Sequence, residues 1–463
     1  MRPVTPLAEL STQLEGLIQK RLTAAPVPGL SAGIVRGSQL AWYGSFGAAD
    51  LKSGRKPDER TISRVASITK TFTATAIMQL RDAGLLALDD PVVLHIPEFA
   101  VASGRAGPLE AVTIRRMLTH HSGLSTEHPD LDWDTPAFPS MRHILDNMHR
   151  VEVAIPQDSA WKYSNLAYSL LGEVVRRLSG KAYTDYVLSE IIRPLGLENT
   201  AFDLSSEQSR LKANGYSPAL PGEHVTNFRT APNVHTNGFA SAGQLHSNTE
   251  DLAKWLGFQV GASSAPEVLA PATLAEMHRP LYTAPDWSSG QCPGWRATRS
   301  GERVYLNHGG GIHGFASSIC FNVPARTGVI VLANMWPVTW PYELSVEIAD
   351  LVIDQAGPVV DGTSVKRRRQ LSSPDLESHA GTYFAEPGVL THIVVEDDAL
   401  RLVRPSPRAY ALHAPATLAR TETPDEFRVL DGRGAGELAR FGRDEKGGVI
   451  SFTLGGFIYQ RTD

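Results

Sequence analysis

Strand-like patterns stand near the start of the chain, at 31–35 and 39–43, and return only at 303–306, 316–321 and 328–333. Most of what lies between reads as helix and loop. A sheet assembled from both ends of the chain, with helices inserted between its strands, explains this order better than separate domains do. It predicts an α/β unit whose antiparallel sheet is flanked by helices, with an all-helical lobe and a cleft between them.

The flanking elements are legible from periodicity. Leu7, Leu10, Leu14, Leu17, Ile18 and Leu22 recur at three- and four-residue spacing, an amphipathic helix over 6–22. A second helix is expected to begin near Ser67 and to stop at Gly84, where a glycine can take the left-handed conformation. Further helices are predicted over 167–178, 183–192, 251–258 (with Thr249 as its cap) and 343–353. The helical signal then ends. Residues 357–375 read as a linker, and its basic run Lys366-Arg367-Arg368-Arg369 as a solvated segment. From 376 on, short strands alternate with tight turns such as Asp431-Gly432 and Gly447-Gly448, the pattern of a small antiparallel barrel. The expected domains are therefore 1–356 and 376–463, and the C-terminal tail is expected to close the barrel.

With 463 residues the chain can bury a core without disulfide or metal staples. Its two cysteines, Cys292 and Cys320, form neither a disulfide framework nor a metal cluster. The formal net charge of -5 argues against binding to nucleic acid. The first residues lack the apolar core of a secretory signal, and no apolar run approaches the roughly 18 residues that span a bilayer. A cytoplasmic protein with no membrane partner is expected. No His-Glu-x-x-His or Cys/His spacing points to a metal. Gly309-Gly310-Gly311 lacks the Lys-Ser/Thr of a phosphate loop, so no cofactor is implied.

Three short motifs carry chemistry. Ser67-Ile68-Thr69-Lys70 puts a hydroxyl and an amine one helical turn apart on the same face. At a helix start, the Ser67 N–H has no intrahelical acceptor and could stabilise an oxyanion. A desolvated lysine could act as base toward the hydroxyl. A capping serine followed by a surface lysine would leave the same letters. Tyr163-Ser164-Asn165, just before a predicted helix, could relay a proton through Tyr163 and orient Lys70 or a substrate amide through Asn165. A buried tyrosine and a helix-capping asparagine are the plain alternative. His308-Gly309-Gly310-Gly311, expected to follow the 303–306 strand, could let a substrate backbone lie against the strand edge. It could also be a simple glycine turn.

Together, and in this order, the three motifs resemble those of the serine beta-lactamase and penicillin-binding-protein superfamily. The branch they resemble holds class C beta-lactamases, D-aminopeptidases and related esterases. The stretches Leu118-Thr119-His120-His121-Ser122-Gly123-Leu124 and Ala242-Gly243-Gln244-Leu245 support the likeness, which covers about residues 8–356. The resemblance implies Ser67 as acylated nucleophile, Lys70 as its base, Tyr163 as proton shuttle and Asn165 as the holder of Lys70 and a substrate carbonyl. It implies an oxyanion hole from the Ser67 and Gly311 amides. His308 would stand where penicillin-targeted members keep lysine, which fits esterase, peptidase and acyltransferase members better than a true beta-lactamase. Gly309, Gly310, His313 and Arg461 are the expected substrate-binding residues, Arg461 as a ligand for a carboxylate; His120 is expected to hold its loop.

The C-terminal unit resembles the lipocalin-like barrel appended to some members. Two groups combine these parts at this length: D-residue peptidases and the stand-alone thioesterases of nonribosomal peptide pathways. The latter implies a cyclase that joins a peptidyl thioester ending in a D-residue head to tail, its substrate delivered by a carrier protein. The alternative is a D-aminopeptidase, D-residue peptidase or carboxylesterase that hydrolyses small peptides or esters.

Overall fold

A computed structural model describes residues 7–135, 137–220, 222–353, 374–385, 389–396, 399–403 and 416–462. Most of the stretch expected as a linker, including its basic run, lies outside them. The chain divides into two compact units, Met1–Asp90 with Tyr168–Ala356, and Pro91–Ala167 with Gly357–Asp463.

The first unit is built on helix α1 (Leu7–Ala24), strands β1 (Gly29–Arg36) and β2 (Gln39–Gly47), helix α2 (Thr69–Asp82), most of helix α3 (Asn165–Ser179) and helix α4 (Thr249–Gln259). Strands β3 (Tyr282–Thr283), β4 (Ser289–Cys292), β5 (Trp295–Ser300), β6 (Arg303–Ile312), β7 (Phe315–Asn322) and β8 (Thr327–Ala333) follow, and then helix α5 (Trp340–Ile353). The sheet runs β2-β1-β8-β7-β6-β5-β4-β3, so the two ends of the chain meet where Ala32 of β1 faces Val331 of β8. The pairing of early and late strands is as the sequence predicts. The additional strands β3–β5 were not legible there, because they are short and rich in Ser, Thr, Arg and Gly.

Every residue of β7 and β8 is buried, which requires cover on both faces. On one face Leu14 and Ile18 of α1 and Leu344 and Ile348 of α5 pack on Ala32, Ile34, Val329 and Val331. On the other sits α4. A methyl at Gly33 would strike Thr249 and one at Gly328 would strike Leu256, so these glycines admit the helix. Each large side chain so buried contributes about 1.5–3 kcal/mol. Helix α4 is capped by Asn248, whose Oδ1 accepts from the Asp251 N–H at 2.9 Å, rather than by Thr249. Helix α2 stops as expected, with Gly84 at φ +73°. Both cysteines are buried free thiols, and burial pushes Cys292 up to about 12.

The second unit joins the helices and loops of 91–167 to a closed barrel. Its strands are β9 (Gly381–Ala385), β10 (Val389–Glu396), β11 (Ala399–Val403), β12 (Ala416–Arg420), β13 (Glu426–Val429), β14 (Leu438–Arg443), β15 (Val449–Leu454) and β16 (Phe457–Arg461). All neighbours are antiparallel, and β16 closes on β9 where Arg461 faces Tyr383. The barrel resembles a lipocalin fold. Alternate residues point inward. Tyr383, Phe427, Phe441, Phe452 and Tyr459 are among those that fill the interior, with Phe452 and Tyr459 stacked at 4.3 Å. No described helix is long and apolar enough to cross a membrane.

Candidate active site

Ser67 stands in a tight turn rather than at the start of a regular helix. Residues Ala66–Ile68 form a 3₁₀ turn that passes into α2 at Thr69. Ala66 has φ +47°, a conformation that costs an L-residue of order 1–3 kcal/mol. The surroundings hold it there. The Val65 N–H donates to Leu245 O at 3.0 Å, and Ser317 Oγ donates to Val65 O at 2.8 Å. Thr69 Oγ1 donates to Ala66 O at 2.6 Å. The turn is thereby pinned to β7 on one side and to the 240–245 segment on the other. Ser67 remains partly exposed.

Lys70 is fully buried. Its Nζ lies 3.0 Å from Ser67 Oγ and 2.6 Å from Ala242 O, and 5.5 Å over the ring of Tyr168. A surface lysine would show none of this, so the plain reading of Ser-x-x-Lys is excluded. The Ala242 carbonyl fixes the amine against the hydroxyl, and a neutral amine in this position can take its proton. Ala242 lies in a stretch noted for its likeness alone; nothing in the letters marks its carbonyl as the lysine's anchor.

His308, Gly309, Gly310 and Gly311 lie within β6, not in a turn after it. Their register against β7 runs from His308 opposite Ile319 to Gly311 opposite Ala316. On the other edge, β5 pairs with β6 from Arg303 to Asn307. The glycine segment thus lies beyond that pairing, and a bare backbone there suits an extended substrate. Gly310 faces the Ser67 turn: a β-carbon on it would overlap Val65 O and sit 3.1 Å from the Ala66 methyl. A side chain on Gly311 would run into the Trp336 indole, whereas Gly309 has room for a methyl. His308 Nδ1 donates to Gly309 O at 2.7 Å, which leaves Nε2 as the acceptor nitrogen. Burial, and then the neighbouring Lys70, push its pKa down to about 3. A neutral imidazole therefore stands where a fixed cation would attract a carboxylate. His313, just past β6, is buried with its ring 6.2 Å from that of Trp336.

Tyr163 and Asn165 belong to the second unit, where both are buried. The segment is held by His120: its Nδ1 accepts from the Ser164 N–H at 3.1 Å, its carbonyl accepts from the Lys162 N–H at 2.8 Å, and its ring lies 4.4 Å from that of Tyr163. Asn165 opens α3, and its Nδ2 donates to Glu127 Oε1 at 2.6 Å. Residues that sequence reasoning missed complete this part. Lys162, fully buried, reaches Glu437 of the barrel unit at 2.5 Å and Thr126 Oγ1 at 2.8 Å. Arg433 places its guanidinium 4.8 Å over the Tyr163 ring. No local pattern ties 433 and 437 to 162 and 163.

Arg461, expected as a ligand for a substrate carboxylate, makes its described contacts within the barrel. Its guanidinium donates to Ala380 O at 2.8 Å, Ser378 O at 3.2 Å and Val449 O at 3.4 Å, and lies over Tyr383. It ties the closing strand to the barrel's own backbone. Arg433, also from the C-terminal part, meets the expected site residue Tyr163.

Comparison with known proteins agrees with this geometry. The chain is 27% identical over 326 residues to Protein flp of Staphylococcus aureus (strain NCTC 8325 / PS 47), covering 70% of this chain and 63% of that protein. It thus spans less than two thirds of that relative's length. It is 24% identical to Penicillin-binding protein 4* of Bacillus subtilis (strain 168), over 79% of this chain and 81% of that one. Among solved structures, the octameric penicillin-binding protein homologue from Pyrococcus abyssi superposes with a TM-score of 0.63 at 21% identity, covering 97% of this chain and 99% of the other. The Beta-lactamase family model matches residues 14–344. With that match over well more than half of its length, the chain belongs to the Beta-lactamase family.

Proposed function

We propose that this enzyme hydrolyses peptide-like amides or esters through an acyl-Ser67 intermediate, as a D-residue peptidase or carboxylesterase. The observation that carries the reading is the 3.0 Å approach of Lys70 Nζ to Ser67 Oγ, with the amine anchored on Ala242 O. Lys70 takes the hydroxyl proton as Ser67 Oγ bonds to the substrate carbonyl carbon. The tetrahedral oxyanion is received by the Ser67 and Gly311 amides. Collapse breaks the carbonyl bond to the leaving amine or alcohol, which takes a proton by way of Tyr163. Water then attacks the acyl-enzyme, releasing the acid and restoring the Ser67 proton. Asn165, its Nδ2 committed to Glu127, is the second polar group proposed for this step. The neutral His308 favours acyl donors that do not depend on a fixed cation for capture.

A peptide cyclase shares every step up to the acyl-enzyme and differs only in what attacks it. Water exclusion and a tethered amine, whose effective concentration can be very large, would turn hydrolysis into ring closure. One experiment separates the two. The full chain is mixed with D-aminoacyl amides, simple esters and linear peptidyl thioesters ending in D- or L-residues, and enzyme and products are followed by mass spectrometry. An adduct on Ser67 with linear acid as product is the expected result. Product lighter than the acid by one water would replace the hydrolase reading by the cyclase. Ser67→Ala should remove the adduct while leaving the fold intact. A Ser67→Ala protein with full activity would refute the whole mechanism.

A further inference from the structure

The segment of the chain around Arg433 and Glu437 contacts the Lys162–Asn165 strip in two separable ways. The first is an anchor made without the Arg433 side chain. Glu437 Oε1 accepts from Lys162 Nζ at 2.5 Å and from the Thr126 N–H at 2.8 Å. The Arg433 carbonyl accepts from Lys162 Nζ at 3.1 Å and from Thr126 Oγ1 at 3.3 Å. The second is the guanidinium itself. It covers the face of Tyr163 at 4.8 Å, and its Nη2 lies 3.8 Å from Glu127 Oε1, the oxygen that accepts Asn165 Nδ2. One cation therefore bears on both residues of Tyr-x-Asn, on one through its ring and on the other through its carboxylate partner. Glu127 is itself buried, and the Lys162 ammonium is a second cation close enough to act on it, so the carboxylate keeps a counter-charge without Arg433.

We infer that Arg433 is a positioning residue for Ser67 acylation, acting through Tyr163 and Asn165. The inference rests on the acyl-Ser67 reading above. It does not make Arg433 a catalytic residue, since it is argued to act only through its neighbours.

The two contacts suggest the test. Arg433→Met removes the guanidinium and keeps both the backbone carbonyl and the Glu437 anchor. The full-length variant is compared with wild type in melting temperature and in the single-turnover rate of Ser67 acylation by a p-nitrophenyl ester. The steady-state kcat and KM for that ester are measured alongside. The expected result is a melting temperature within about 3 °C of wild type, an acylation rate lowered about tenfold and KM little changed. Arg433→Lys, which keeps a cation over the ring but not the planar fork toward Glu127, should recover part of the loss. In a Tyr163→Phe background that keeps the ring but lacks the hydroxyl to be placed, Arg433→Met should have a smaller effect than in wild type. An acylation rate equal to wild type, a loss confined to KM, or a loss that merely follows unfolding would each overturn the inference and leave acyl-Ser67 chemistry standing. Absence of any Ser67 adduct in the wild-type protein would overturn both.

Discussion

Gly310 is pressed against the backbone of Val65, so closely that a single added methyl would overlap the Val65 carbonyl oxygen. That carbonyl already accepts from Ser317 Oγ, and the next residue, Ala66, carries the strained φ that sets the direction of Ser67. The glycine of the third motif thus determines where the serine of the first one stands. Gly310→Ala should cost about 1–3 kcal/mol of stability through overpacking. It should lower Ser67 acylation about a hundredfold through displacement of the turn. Gly309→Ala is the control for stability: its methyl would be 3.7 Å from the nearest atom, Ser317 O, and the melting temperature should stay near wild type. Melting curves and adduct formation by intact mass read the two outcomes.

His308 offers a hydrogen bond but no charge at neutral pH, because burial and Lys70 hold its pKa near 3. His308→Lys would restore a cation at this position of β6. Acylation by a penicillin, which carries a carboxylate, should then rise about tenfold, because the neutral imidazole turns only an acceptor nitrogen outward whereas an ammonium can donate a charge-assisted hydrogen bond. The gain should shrink in high salt, and a neutral ester should show no gain. Equal gains for both substrates would mean that charge is not the reason.

Three histidines make stability depend on pH in one direction. His246 and His308 are pushed down to about 3 and His278 to about 4, from 6.5, each chiefly by burial. Below pH 6.5 the unfolded chain binds protons that the folded chain refuses, so protonation favours unfolding. Their contribution is complete above about 6.5 and is lost progressively as the pH falls toward 4 and 3. Melting temperature should therefore decline from pH 7 to pH 4. His278→Gln, which loses the titration but keeps polarity beside Gln259, should flatten that decline. A slope unchanged in the variant would remove His278 from the account.

The Lys162–Glu437 pair is buried, and burial lowers the pKa of Lys162 while the ammonium lowers that of Glu437. Breaking one half is expected to be worse than replacing both. Lys162→Met should cost about 3–5 kcal/mol by stranding the carboxylate. The Lys162→Met, Glu437→Gln double variant should recover a large part of that. Urea unfolding of the four proteins in this cycle measures the coupling, and additive losses would show that the two groups act independently.

The sequence by itself determined the elements whose reasons are local. Apolar spacing specified α1, glycine at 84 ended α2, and the alternation of short strands and turns past 376 specified a barrel. Ser67 and Lys70 were legible as a pair because three-residue spacing on a helix fixes their proximity, and His308 was legible from the glycines beside it. Only the tertiary structure decided how these letters are used. It made the glycine run the end of β6, because β7 pairs with it, and made Ala242 O the anchor of Lys70. It also tied Arg461 to carbonyls of the barrel and brought Arg433 to Tyr163 across 270 positions of the chain. Contacts between residues that far apart leave no periodic trace in the sequence. They exist because a buried lysine and a buried carboxylate each need a partner, and the fold alone decides which residue stands close enough to be one.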